Sequence, residues 1–262
     1  MEEKIEIIEN WNGEPTKVLR SKGNKLAVID YMDNLIIPSK SIWPHFDILK
    51  KIYKSNHEKD FDNSEIKREL GFYCDLQSLR SEDAITWSVF GTLNYFSKEK
   101  KIKFIRSLFK HLNLEYEVSD CLISLWTKIL HPDTKKLGGP ELDFLIISDN
   151  IVLLGESKWR SKISEKQGKN KDKDQIRLRL DFKKEHAEKI FKGKDCCVFL
   201  IVKDELTVDK FREIYKTEIY DNDKKNKKKC LVIRSWETIC RELEHPLRDE
   251  IIRYYEWKKR NG

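Results

Sequence analysis

The sequence predicts an α/β fold in which a central mixed β-sheet carries helices on both faces. Two observations predict this fold. Residues 114 to 159 alternate short apolar runs with turn residues, which is typical of a meander of antiparallel strands. After residue 159 the pattern becomes helix, strand, helix, strand and helix. Because those later strands are continuous apolar runs, they favour parallel pairing beneath covering helices.

The length and composition set the domain organisation. A chain of 262 residues is long enough for one or two domains. Its seven Trp, nine Tyr and twelve Phe argue against wholesale disorder, although 37% of the residues are charged. We predict an N-terminal accessory region over 1–75 and the main domain over 76–262, and the sequence leaves open whether the first region belongs to the same domain.

The elements follow from local patterns. Ser81 can cap a helix whose first turn carries Glu82 and Asp83, and a second helical pattern covers 100–111. The predicted strands and helices that follow are, in order, strand 141–148, strand 151–159, helix 175–191, strand 196–202, helix 208–215, strand 230–233 and one long helix 236–259.

The chemistry-bearing residues lie on the two strands joined by Asp149 and Asn150. Asp143 interrupts the first apolar strand, and Glu156 and Lys158 stand near the end of the second. A hairpin of this length places Asp143 beside Glu156, while strand alternation puts Glu156 and Lys158 on one face. A charge-rich chain often contains such a triplet on a solvated face, but two buried strands converging on the same charges favour a site. Paired carboxylates suit a hard cation such as Mg²⁺.

This arrangement resembles the PD-(D/E)xK, or restriction-endonuclease-like, nuclease superfamily over roughly 81–235. Asp143 matches the metal-binding aspartate, and Glu156-Ser157-Lys158 matches the (D/E)xK element. The proline, Pro140, stands three places before Asp143 rather than directly before it. The resemblance implies a restriction-endonuclease-like core. The segment 81–87, SEDAITW, also looks like one found in a bacterial group of uncharacterised restriction-endonuclease-like proteins.

The resemblance further implies roles for individual residues. Mg²⁺ would be held by Asp143, Glu156, the main-chain carbonyl of Ser157 and Glu82. Mn²⁺ is expected to serve in place of Mg²⁺. Lys158 would position the attacking water, and Gln175 would orient Lys158 or a phosphate. For Glu82 and Gln175, ordinary helix-start chemistry is an equally good explanation.

A basic segment follows the second strand directly. Residues 160–174 carry six basic residues, and we expect a mobile loop there. Lys162, Lys166 and Lys169 are the candidate phosphate contacts, since lysines supply affinity for nucleic acid that does not depend on sequence. A solvated connector is the alternative.

The expected function is therefore metal-dependent hydrolysis of phosphodiester bonds in DNA, in restriction or anti-phage defence, with RNA left open as a substrate. The alternatives are a catalytically silent nucleic-acid-binding module and a subunit active only within a larger assembly. We expect a homodimer, for which the exposed-looking aromatics Tyr254, Tyr255 and Trp257 are the candidate contact surface. Packing of these aromatics on the chain's own core is the alternative. Removal of Asp143 or Glu156 should relieve carboxylate repulsion and raise thermal stability slightly.

The remaining expectations concern location. The sequence shows no signal-peptide pattern and no apolar stretch of membrane-span length, so we expect a cytoplasmic protein that has no membrane partner. Six cysteines form no C-x-x-C pair and give no support to a zinc ribbon. A formal net charge of +7 is compatible with a polyanionic partner.

Overall fold

The fold is described from a computed structural model. It describes residues 4–21, 24–39, 43–52, 74–133, 139–160, 173–219 and 229–262. The chain divides into two compact units, the first formed by 1–95 together with 247–262 and the second by 96–246. Sequence reasoning divides the chain after residue 75 instead, and the accessory role of 1–75 stays a prediction.

The described residues form eight strands. They are β1 (Lys4–Glu9), β2 (Pro15–Arg20), β3 (Leu26–Val28), β4 (Cys121–Lys128), β5 (Glu141–Ser148), β6 (Ile151–Ser157), β7 (Asp195–Val202) and β8 (Leu231–Ser235).

The same residues form eight α-helices. They are α1 (Phe46–Ile52), α2 (Glu82–Thr86), α3 (Lys98–Leu112), α4 (Gln175–Phe182), α5 (Glu188–Phe191), α6 (Glu205–Ile214), α7 (Trp236–Glu242) and α8 (Arg248–Asn261). A π-helical turn, Lys183–Ala187, joins α4 to α5, so the predicted helix 175–191 is continuous with one widened turn.

The first unit combines an antiparallel β1-β2-β3 sheet with α1, α2 and α8. Ser81 caps α2 as predicted, because its hydroxyl accepts a hydrogen bond from the Ala84 amide at 3.1 Å. The aromatic side chains of α8 are buried in the chain itself: Tyr254 donates to the Asn34 carbonyl, and Trp257 donates to the Glu9 carbonyl. The expectation that these aromatics are exposed for a dimer contact is wrong, because they pack inside their own unit.

The second unit is built on a five-stranded sheet with the order β4-β5-β6-β7-β8. The pairs β4–β5 and β5–β6 are antiparallel, and the pairs β6–β7 and β7–β8 are parallel. The predicted α/β class with a central mixed sheet flanked by helices is therefore confirmed. The change from antiparallel to parallel pairing falls on β6, the strand that carries Glu156.

Helix α4 packs on one face of this sheet. Ile176 and Phe182 of α4 join Val152 and Leu154 of β6 in a single apolar cluster. Side chains alternate along a strand, so the face that carries Val152 and Leu154 also carries Glu156. The sheet thus directs Glu156 towards the underside of α4.

The C-terminal segment differs from its prediction. The sequence predicts a single helix over 236–259, whereas α7 ends at Glu242 and α8 begins at Arg248. Leu243 has an extended backbone, and Pro246 follows it. Proline disfavours the helical conformation of the residue before it and cannot donate its own amide, so the helix breaks here. The two parts belong to different units.

Candidate functional site

Asp143 and Glu156 occupy opposing positions at the end of the β5–β6 hairpin. Phe144 pairs with Gly155 in the antiparallel register, which makes Asp143 and Glu156 the next pair outward. The Asp143 carboxylate bends towards β6 and accepts a hydrogen bond at 2.6 Å from the amide of Ser157. The two predicted carboxylates therefore lie on adjacent strands at one end of the sheet.

The residue before Glu156 has to be small. A Cβ atom added to Gly155 would come within 2.4 Å of three ring carbons of Phe144. The Phe144 ring also meets Phe199 edge to face, with centroids 5.6 Å apart. Phe144 thus sits over the Gly155 backbone, and this packing fixes the strand immediately before Glu156.

Glu156 is a buried carboxylate held by two cations. Its side chain is 1% exposed; Oε1 lies 3.0 Å from Nζ of Lys158, and Oε2 lies 2.7 Å from Nη2 of Arg179. A buried charge is stable only when it is paired, and both oxygens of Glu156 are paired here. The expected repulsion between carboxylates is therefore the wrong description of Glu156. Its removal would leave buried cations behind.

Lys158 is fixed by its backbone as well as by its side chain. Its amide donates to the Ile201 carbonyl at 2.7 Å, which extends the β6–β7 pairing past the end of β6. The residue is 8% exposed. Its ammonium group lies next to Glu156.

Arg179 is the functional candidate that sequence reasoning missed. It projects from α4, is 1% exposed, and its Nη2 donates both to Glu156 and, at 2.8 Å, to the Glu141 carbonyl. Its Nε and Nη1 atoms are buried and find no hydrogen-bond acceptor in the described part of the chain. A signal was present in the sequence: Arg179 stands three places after Ile176, on the apolar stripe of its helix, where a cation needs an acidic partner.

A helix cap and two ion pairs fix the start of α4. Asp174 caps the helix by accepting a hydrogen bond at 2.8 Å from the Arg177 amide. Lys173 forms ion pairs with Asp133 at 2.8 Å and Asp181 at 2.7 Å, and these carboxylates raise the pKa of Lys173. The helix therefore holds Arg179 in a defined position over the sheet. Gln175 occupies the first position of the same helix and is half-buried.

An unusual backbone conformation lies across from Asp143. In the β4–β5 ladder Leu125 pairs with Phe144 and Thr127 with Leu142, so Trp126 stands opposite Asp143. Trp126 has a φ of +51°, in the left-handed region that a bulky side chain rarely adopts. Such strain persists only where the surroundings impose it, and it often marks a functional site.

The other predicted residues fall elsewhere. Glu82 lies in the first turn of α2, in the first unit, where it interacts electrostatically with Lys258. Its role as a metal ligand stays a prediction. Lys162, Lys166 and Lys169 lie outside the described residues.

The donor set suits one type of metal ion. Within the described ranges, no group of three or more His, Cys, Asp or Glu side chains could hold a metal. Asp143 and Glu156 nevertheless offer two carboxylates at one strand end, and Mg²⁺ commonly takes one or two carboxylates, with water and phosphate completing its shell. These residues would therefore fit a cation whose shell is completed by water and phosphate, and they do not fit a fully protein-enclosed centre.

Comparisons with known proteins give no relative. No family model matches the chain, and neither a curated protein nor a solved structure matches it. Among the helices that the structure describes, none is long and apolar enough to cross a membrane.

Proposed function

We propose that this protein is a metal-dependent phosphodiesterase that cleaves DNA, of the PD-(D/E)xK kind. The observation that carries the proposal is the convergence of Asp143, Glu156 and Lys158 at the end of a buried hairpin, with Lys158 Nζ 3.0 Å from Glu156 Oε1. The two carboxylates lie on adjacent strands, and the ammonium group pairs with one of them. This combination suits the charge changes of phosphodiester hydrolysis.

Each residue has a distinct part in this proposal. Asp143 and Glu156 hold Mg²⁺, with the main-chain carbonyl of Ser157 as a further ligand. When bound, the cation activates water and offsets phosphate charge. Lys158 positions the water, and Gln175, from the start of α4, orients Lys158 or a phosphate.

Further residues would serve the metal ion and the nucleic acid. Glu82 would add a ligand to Mg²⁺ directly or through water, and Lys162, Lys166 and Lys169 would bind the phosphate backbone. Neutralising one lysine that binds a phosphate should reduce the salt slope of log K by roughly 0.9 on duplex DNA. A homodimer would present two sites to opposite strands. Restriction or anti-phage defence is the setting we propose.

One observation favours a second candidate function. Both oxygens of Glu156 are already paired with cations of the chain, which a purely structural ion network would also require. The alternative is therefore a nucleic-acid-binding module without catalysis, acting alone or as a subunit of a larger assembly. Such a module would bind DNA in a salt-dependent manner without cleaving it.

Cleavage assays separate these functions. Supercoiled, linear and single-stranded DNA and RNA would be incubated with Mg²⁺, with Mn²⁺ and with a chelator. We expect cleavage only with metal and a loss of at least about 100-fold in Asp143→Asn, since a metal ligand is removed. Asp209→Asn is the matched control, because Asp209 is an exposed carboxylate on α6 that pairs with Arg212 of the same helix. Undiminished cleavage by Asp143→Asn would exclude the proposed site.

A further inference from the structure

Arg179 and Lys158 pair with Glu156 in different ways. Nη2 of Arg179 uses both of its N–H groups, one on Glu156 and one on the Glu141 carbonyl. Arg179 is also more deeply buried than Lys158, at 1% against 8% exposure. Lys158 is therefore the more exposed of the two cations.

Separating Arg179 from Glu156 would be costly. Its Nε and Nη1 already have no acceptor within the described residues. Without Oε2, the buried guanidinium would keep, among those residues, only its hydrogen bond to the Glu141 carbonyl, and an unpaired buried charge is strongly unfavourable. Lys158 loses less, because its side chain is 10% exposed and water can take the place of the carboxylate.

We propose that Arg179 is a positioning residue that fixes Oε2 of Glu156 and thereby directs a divalent cation to Oε1, where the cation displaces Lys158. This inference rests on the proposed function. Its consequence is that the two basic residues act differently on metal binding, although both touch the same carboxylate. Lys158 competes with the divalent cation for Oε1 of Glu156, whereas Arg179 orients the carboxylate so that Oε1 can bind the cation.

Binding of Mn²⁺ alone to the full chain tests this assignment. Free Mn²⁺ would be measured by electron paramagnetic resonance up to millimolar concentrations, without nucleic acid. Lys158→Met should bind Mn²⁺ about tenfold more tightly, because a competitor is removed. Arg179→Met should bind no more tightly than the wild type, because the freed carboxylate loses its orientation. Each variant removes one of the two cations that hold Glu156.

The controls identify which proposal fails. Lys103→Met removes a surface charge that pairs with Glu244, and it should change the affinity less than twofold. Glu156→Gln should abolish Mn²⁺ binding. If Arg179→Met does not fold, Arg179→Gln, which keeps an amide donor for the Glu141 carbonyl, takes its place.

The outcomes are distinct. Equal tightening by the Lys158 and Arg179 variants would mean that only charge matters and would overturn this inference, as would an unchanged affinity in Lys158→Met. Wild-type affinity in Glu156→Gln, or no saturable binding by wild type and Lys158→Met, would overturn the proposed metal site as well.

Discussion

The buried side chain of Lys258 should make the stability of the first unit depend on pH. It lies on α8 and is fully buried, with Nζ 3.4 Å from Oδ1 of Asn34 and 5.7 Å from the centre of the Tyr254 ring. Burial lowers the pKa of Lys258 to about 7, although the charge of Glu82 acts in the opposite direction. The folded chain therefore releases a proton at a pH where an unfolded chain retains it.

The difference in the pKa of Lys258 between the folded and unfolded states sets the direction and size of its effect on the free energy of unfolding. Between about pH 7 and the ordinary lysine value of 10.5, Lys258 binds more protons in the unfolded state, so its contribution to stability rises with pH across this window. Below pH 7 both states carry the proton, and the cost of burying the charge is fully present. That cost is of the order of 5 kcal/mol, since one pKa unit corresponds to about 1.4 kcal/mol.

Lys258→Met should remove most of this cost. Methionine has a similar length and no charge, and the missing hydrogen bond to Asn34 costs about 1 kcal/mol. We expect the free energy of unfolding to increase by about 2–4 kcal/mol at pH 7 and to be nearly unchanged close to pH 10.5. The gap in stability between the variant and the wild type should therefore close as the pH rises across this window.

Urea unfolding followed by tryptophan fluorescence from about pH 6 to 10.5 measures both effects. Lys259→Met is the matched control, because Lys259 is the exposed neighbour on the same helix; we expect a change below about 0.5 kcal/mol. Parallel pH profiles for the wild type and Lys258→Met would refute the reasoning, since they would show that Lys258 does not titrate in this window.

Two further predictions concern packing at the site. Glu156→Ala should lower the free energy of unfolding by about 3 kcal/mol, because Arg179 stays buried without its carboxylate partner. Urea unfolding measures this change. A variant as stable as the wild type, or more stable, would contradict the buried ion pair. Gly155→Ala should cost about 1–3 kcal/mol by the same measurement, because the new methyl group meets the Phe144 ring at 2.4 Å, and Phe144→Leu in that background should recover part of the loss.

Local patterns predict the elements that carry the site. Strand β5 runs over Glu141–Ser148 as its apolar run indicates, and the helix start at Ser81 follows from capping chemistry. The turn at Asp149 and Asn150 sets the register that places Asp143 across from Glu156. Short-range preferences decide these features, so the sequence displays them directly.

The remaining features depend on contacts distant in sequence. Arg179 lies 23 residues after Glu156, and only the packing of α4 on the sheet brings the two together. The left-handed backbone of Trp126 arises in the middle of a strand, where residue preferences would predict a regular extended conformation. Pro246 signals the break before α8, but the apolar periodicity on both sides of it conceals the change of unit.

The charges around Glu156 also bear on when a metal ion would bind. Asp143 and Glu156 carry two negative charges, and Lys158 and Arg179 carry two positive charges, so this group of four is neutral before any cation arrives. A divalent cation alone would leave it with an excess of two positive charges, which a phosphodiester backbone would offset. We therefore expect Mn²⁺ and DNA to strengthen each other's binding by a common factor, on the order of tenfold, as linkage requires. Mn²⁺ titrations with and without a short phosphorothioate duplex measure this factor, and the Asp143→Asn chain serves as control. Equal Mn²⁺ affinity in both titrations would show that the substrate does not complete the site.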